Sequence, residues 1–212
     1  KPEWWVLFLN QLVTIFKGPW SVIGSVIIPG GLAGLLIALP FIDSSPEHHP
    51  ARRKIVMLIA VIIAIAVLVC MLVGFLSGFA TQSSVDTWYV GLNKPAFNPP
   101  NWVFAPVWSV LYLLMGISAG LVWARGFHHK WVKTALYLFG FQLLYNATWS
   151  IVFFGLRRPL AAFIILIMLF VLILLTIRQF RVVNRTAANL LIPYLLWVIF
   201  AGVLNFEIVR LN

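Results

Sequence analysis

From Trp88 to Tyr112 the chain reads W-Y-V-G-L-N-K-P-A-F-N-P-P-N-W-V-F-A-P-V-W-S-V-L-Y. One apolar run ends just before this stretch and another begins inside it. A connection between two apolar helices needs only a turn, and packing alone would be met by Leu and Val. This one carries Trp88, Trp102 and Trp108 together with Pro95, Pro99, Pro100 and Pro106. Proline fixes φ, and an indole is flat and stiff, so such a segment holds its shape at small entropic cost. The stretch predicts a preformed lid or pocket wall between two membrane helices.

Composition agrees with a membrane setting. The chain has 212 residues, 62% of them hydrophobic and 9% charged, against about 25% charged in soluble domains. It cannot cover a water-facing surface. The net charge of +10 reads as membrane orientation, because the basic residues fall between apolar runs and no basic helix or RNA-binding motif is present. Nucleic acid is not an expected partner. The single Cys70 excludes an internal disulfide, and no C-x-x-C-H occurs for covalent haem. The chain opens at Lys1 without Met, as though processed or preceded by further sequence.

Six apolar runs approach the roughly 20 residues that a span requires. They lie at 21–42, 55–80, 103–124, 132–154, 160–178 and 188–209. Residues 4–16 are apolar but too short, and predict an interfacial helix with Trp4 and Trp5 at the headgroups. The fold class expected is all-α integral membrane, with six transmembrane helices preceded by that interfacial helix. Loops at 43–54, 125–133 and 178–187 hold nine of the fifteen Lys and Arg residues. Positive charge marks the cytoplasmic side. The amino terminus, the Trp88–Pro100 loop and the carboxy terminus are then expected outside, in a bacterial-type inner membrane.

Two further motifs accompany the first. Gln142 to Pro159 reads Q-L-L-Y-N-A-T-W-S-I-V-F-F-G-L-R-R-P, and Pro193 to Asn212 reads P-Y-L-L-W-V-I-F-A-G-V-L-N-F-E-I-V-R-L-N. Together the three resemble the tryptophan-rich sensory protein family, TspO, also called the translocator or peripheral benzodiazepine receptor family. The resemblance covers residues 55–212 and implies a five-helix bundle that binds porphyrins or haem breakdown products, in many members also sterol; whether the chain is a monomer or a dimer is left open by the sequence. By motif position it implies ligand contacts at Trp88, Tyr89, Phe97, Trp108, Asn146, Trp197 and Ala201. Gln142 joins them because it sits one helical turn from Asn146, and two carboxamides inside a membrane need polar partners or a polar ligand. A tryptophan at a span end is more often a membrane anchor, and Trp102, Trp123 and Trp131 are read that way. A sterol motif of Leu or Val, Tyr and Lys or Arg is not met near Arg210, since Phe206 stands in the Tyr position.

The first segment carries a different pattern. K-P-E-W-W opens the chain, and L-P-F-I-D-S-S-P-E-H-H-P-A-R-R-K ends at Lys54. Residues 1–54 resemble the carboxy-terminal part of cytochrome b, or subunit IV of the b6f complex, with Trp5 where that family has Tyr. The resemblance implies that Glu3 takes a proton from a quinol at an outer-side site. It further implies a haem-bearing cytochrome b-type partner, Rieske and cytochrome c-type subunits, quinone and lipid. All four His residues lie in loops, so b-type haems are expected on the partner and not on this chain.

Three functions compete. One is a membrane subunit of a quinol-oxidising cytochrome bc-type complex with a fused tetrapyrrole-binding domain, the combination expected from both resemblances. The second is a stand-alone TspO-type sensor for a tetrapyrrole or lipid. The third, a transporter, ranks last because no span carries a series of ionisable residues. No Ser-His-Asp or metal-ligand constellation marks an independent enzyme.

Overall fold

The computed structural model describes residues 54–212, apart from the side chains of Gln82, Ser83 and Asp86. Among these residues five stretches are long and apolar enough to cross a membrane. The first is α1, Lys54–Asp86. At 1.5 Å per residue it is about 50 Å long, more than the ~30 Å hydrocarbon core, so one end stands clear of the lipid. A short 3₁₀ turn, Tyr89–Gly91, and the proline-rich loop lead to α2, Asn101–Trp123. Pro100 precedes α2, where a missing N–H costs nothing, and Pro106 removes one helical bond early in the helix.

α3 spans Lys130–Ser150 and continues as a wider π turn over Ile151–Gly155. The turn closes with Leu156 N–H donating to Ile151 O and Arg158 N–H donating to Val152 O. Arg157 is held at φ 55° in that closure, a left-handed position that favours glycine. Arg157→Gly is therefore expected to raise stability by about 1 kcal/mol, read as a higher midpoint in thermal unfolding. An unchanged or lower midpoint counts against strain there.

α4 runs Pro159–Val183, with proline in its first turn. α5, Arg185–Leu190, and α6, Ile192–Leu211, complete the last crossing. The sequence pattern places a loop at 178–187, because Arg178, Arg181 and Arg185 cluster there. Instead α4 continues through Arg178 and Arg181, and only Asn184 interrupts the two helices. Long basic side chains can lie along a helix end with their charges in water. What stops α4 is Asn184, whose side chain accepts from Ala187 N–H and caps α5.

The half of the bundle away from the 88–100 loop is solid. Met115, Val122, Val132, Ala135, Phe180 and Tyr194 are buried there or at its inner edge. Gly116 and Gly120, one turn apart on α2, bring α1 into close contact. A Cβ on Gly120 would stand 2.6 Å from the Ile63 Cα, and one on Gly116 would strike the Val67 backbone. Without a hydrophobic force between helices in lipid, this close approach supplies the packing that joins them. Ser118 adds a bond across the bundle, donating to Ala187 O at 2.7 Å.

Candidate functional site

The half nearest the loop is hollow. A cavity of about 630 Å³ lies between α1, α2, the end of α3 and α6. Gly74, Ser77 and Thr81 of α1 form one wall, and Phe104, Trp108 and Tyr112 of α2 the next. Trp149 and Phe153 come from α3, and Trp197, Ala201 and Asn205 from α6. The tryptophans stand near one another: Trp108 and Trp149 have ring centroids 6.3 Å apart, and Phe104 meets Trp197 edge-on at 6.0 Å. Phe153 and Phe154 project from the π turn against Trp149 and Tyr89. A π turn advances the register by one residue, which lets two consecutive phenylalanines reach the cavity.

The floor is a hydrogen-bonded chain across three helices. Tyr112 Oη donates to Asn146 Oδ1 at 2.6 Å, and Asn146 Nδ2 donates to Tyr194 Oη at 3.0 Å. All three residues are buried. Their mutual bonds remove the cost of placing a carboxamide in the membrane interior. Asn205 Nδ2 donates to Pro159 O at 3.0 Å. Asn205 Oδ1 and Trp149 Nε1, both buried beside the cavity, have no hydrogen-bond partner among the described residues. One acceptor and one donor are thus left at the wall of an otherwise aromatic site. No charged side chain lines it among the described residues.

The loop is pinned over this end. Tyr89 Oη donates to Asn98 Oδ1 at 3.0 Å. Asn93 N–H donates to Asn212 Oδ1 at 3.0 Å, and Asn212 Nδ2 returns a bond to Asn93 O. Lys94 Nζ donates to Val90 O and lies 4.9 Å from the Tyr89 ring centre. Burial pushes the Tyr89 hydroxyl above its ordinary value of 10, so it stays a neutral donor at physiological pH. Glu207 and Arg210 pair at 2.7 Å near the same end.

The residues expected from sequence divide into two groups. Tyr89, Trp108, Asn146, Trp197 and Ala201 all line the cavity. Trp88 packs edge-on against Phe153, behind the wall. Phe97 is about half exposed and rests on Phe200 outside the cavity. Gln142 lies one turn below the floor, buried, with Nε2 4.0 Å from the Met115 sulfur. Trp102, read as a membrane anchor, lines the cavity rim while half exposed. Tyr112 and Tyr194 were not anticipated. Their signal was available: a carboxamide in a span requires polar partners, and Tyr112 and Tyr194 both lie inside quoted motifs. Glu3, the interfacial helix at 4–16 and the span at 21–42 lie outside the described residues.

These features define a multi-pass helical membrane protein with an aromatic-walled cavity in one half of its bundle. The chain belongs to the TspO/MBR family, which it matches over residues 66–211. It is 41% identical over 132 residues to the tryptophan-rich protein TspO of Chlorobaculum tepidum, covering 62% of this chain and 84% of that one. The corresponding protein of Archaeoglobus fulgidus is 45% identical over 133 residues, with the same coverages of 62% and 84%. The human translocator protein is 40% identical over 127 residues, covering 59% of this chain and 75% of that one. The family match begins inside α1 and lends no support to the cytochrome b-type reading of residues 1–54.

Proposed function

We propose that this chain is a TspO-type membrane binding protein whose cavity takes up a tetrapyrrole or another flat apolar ligand. The observation that carries the reading is the aromatic cavity of about 630 Å³ walled by Trp108, Trp149 and Trp197. Its size falls within the roughly 300–1,000 Å³ of small-molecule sites. Flat rings stack on indole faces with about 0.5–1.5 kcal/mol beyond area burial. The unpartnered Trp149 donor and Asn205 acceptor offer contacts to pyrrole or carbonyl groups on a ligand. The charge bias of the loops supports an outward-facing cavity.

This reading treats the protein as a sensor or carrier without electron transfer of its own. The quinol-site reading, with Glu3 as proton acceptor and haem-bearing partners, rests on the sequence pattern of residues 1–54 alone, and no observation in the described residues favours it. The test is a titration of the purified protein in nanodiscs with protoporphyrin IX, followed by its Soret absorbance. Saturable binding near one porphyrin per chain is expected. A titration indistinguishable from empty nanodiscs sinks the proposal.

A further inference from the structure

The packing between α1 and α2 differs between their two ends. Added Cβ atoms measure it. On Gly120 one meets Ile63 at 2.6 Å, and on Gly116 it meets the Val67 backbone. On Gly74, nearer the loop, it meets the Tyr112 ring. On Gly78, one turn further, it meets nothing within 4 Å. The two helices are locked together at one end and parted at the other, and the parting begins where Tyr112 forms the cavity floor.

The sides of the parting can be assigned. Ser77 and Thr81, on one edge of the cavity-lining face of α1, are buried. Phe75 and Gly78, on its other edge, are exposed. On α2, Phe104 marks the edge that meets Trp197 of α6. Ala105 and Ser109 lie toward the opposite edge, line the cavity and are exposed. The exposed edges face each other across the α1–α2 seam, within the stretches of both helices that are apolar enough to cross a membrane.

The water-facing end is built differently. Tyr89 is 4% exposed, and the loop is held by the Tyr89–Asn98 bond, the paired Asn93 and Asn212 bonds and the Phe97–Phe200 contact. Entry from water would require several of these to open together. Entry from lipid would pass Gly78, Ala105 and Ser109, three of the smallest side chains, with the exposed rings of Phe75 and Trp102 at the rim. A flat apolar ligand is concentrated in the bilayer by the same transfer free energy that favours its burial in protein.

We propose that the ligand exchanges sideways with the bilayer, through the α1–α2 seam walled by Gly78, Ala105 and Ser109, while the 88–100 loop stays closed. This rests on the flat-ligand reading above. The test is stopped-flow binding and release of protoporphyrin IX by the full chain in nanodiscs. Gly78→Leu and Ala105→Leu, each adding bulk to the open seam, are expected to slow association and dissociation alike by about tenfold. Because both residues also line the cavity, the dissociation constant is measured alongside the rates, and the route is read from association and dissociation slowing together. Asn212→Ala, which loosens the loop, should leave both rates unchanged. Unchanged rates in both seam variants overturn the route, as does faster exchange in Asn212→Ala. A seam variant that weakens equilibrium binding without slowing exchange also overturns it. If the unsubstituted protein shows no saturable binding, the ligand reading itself falls and the route with it.

Discussion

Gly120→Val is expected to destabilise the bundle by about 3 kcal/mol, the upper part of the range for forcing bulk into a packed interior. Any Cβ at this position stands 2.6 Å from the Ile63 Cα, and the obstacle is backbone, which cannot rotate away. The α1–α2 pair must separate along the face where Gly116 and Gly120 give it its closest contact. In lipid that separation is not opposed by a hydrophobic effect, so the lost dispersion contacts are not replaced by any drive to re-close. Gly140→Ala is the matched control. Gly140 lies in α3, its Cβ would meet nothing within 4 Å, and replacing a mid-helix glycine by alanine adds about 0.5–1 kcal/mol of helix stability. Resistance to SDS-induced unfolding in mixed micelles reads both. Equal midpoints for Gly120→Val and the unsubstituted protein would show that the close approach contributes nothing.

That glycine pair shows where the sequence was legible and where it was not. The five spans could be read because each must satisfy its own backbone in lipid, which forces long apolar runs. Their ends were harder. The run read as 160–178 is part of a helix that reaches Val183, because charge at a helix end does not terminate it while a capping Asn does. Gly116 and Gly120 stand at i, i+4 spacing on α2, but that spacing alone does not name α1 as the helix they meet.

The cavity residues divide for a similar reason. Trp108, Asn146 and Trp197 are grouped by motif position in the family resemblance, and all three line the cavity. Gln142 joins them as a second carboxamide and yet lies beneath the floor. Nothing in its spacing says at which turn the hollow half ends. That boundary is set by Tyr112 and Tyr194 reaching across from α2 and α6 to Asn146, a three-body contact that no single helix encodes. Phe97 belongs to a loop whose path depends on the Asn93–Asn212 bonds, between residues 119 positions apart.

Trp108→Ala is expected to weaken protoporphyrin IX binding about 30-fold. Trp108 touches Tyr112, Trp149 and Tyr194, so its ring stands where the α2 wall meets the floor. Removing it takes away one stacking partner, about 1 kcal/mol, and roughly 50 Å² of apolar contact at about 25 cal/mol/Å². The sum is about 2 kcal/mol, which corresponds to the stated change in dissociation constant. Trp102→Ala should have a smaller effect, because that ring is half exposed at the rim. Trp131→Ala should stay within about twofold, since Trp131 is 64% exposed near the start of α3, at the far end of the bundle. Soret titrations of the three variants, with thermal unfolding to check that each is folded, decide the matter. Equal losses for Trp108→Ala and Trp131→Ala would mean that the porphyrin senses the membrane surface of the protein and not the cavity. The order Trp108, Trp102, Trp131 would instead follow the depth of each ring in the hollow half of the bundle.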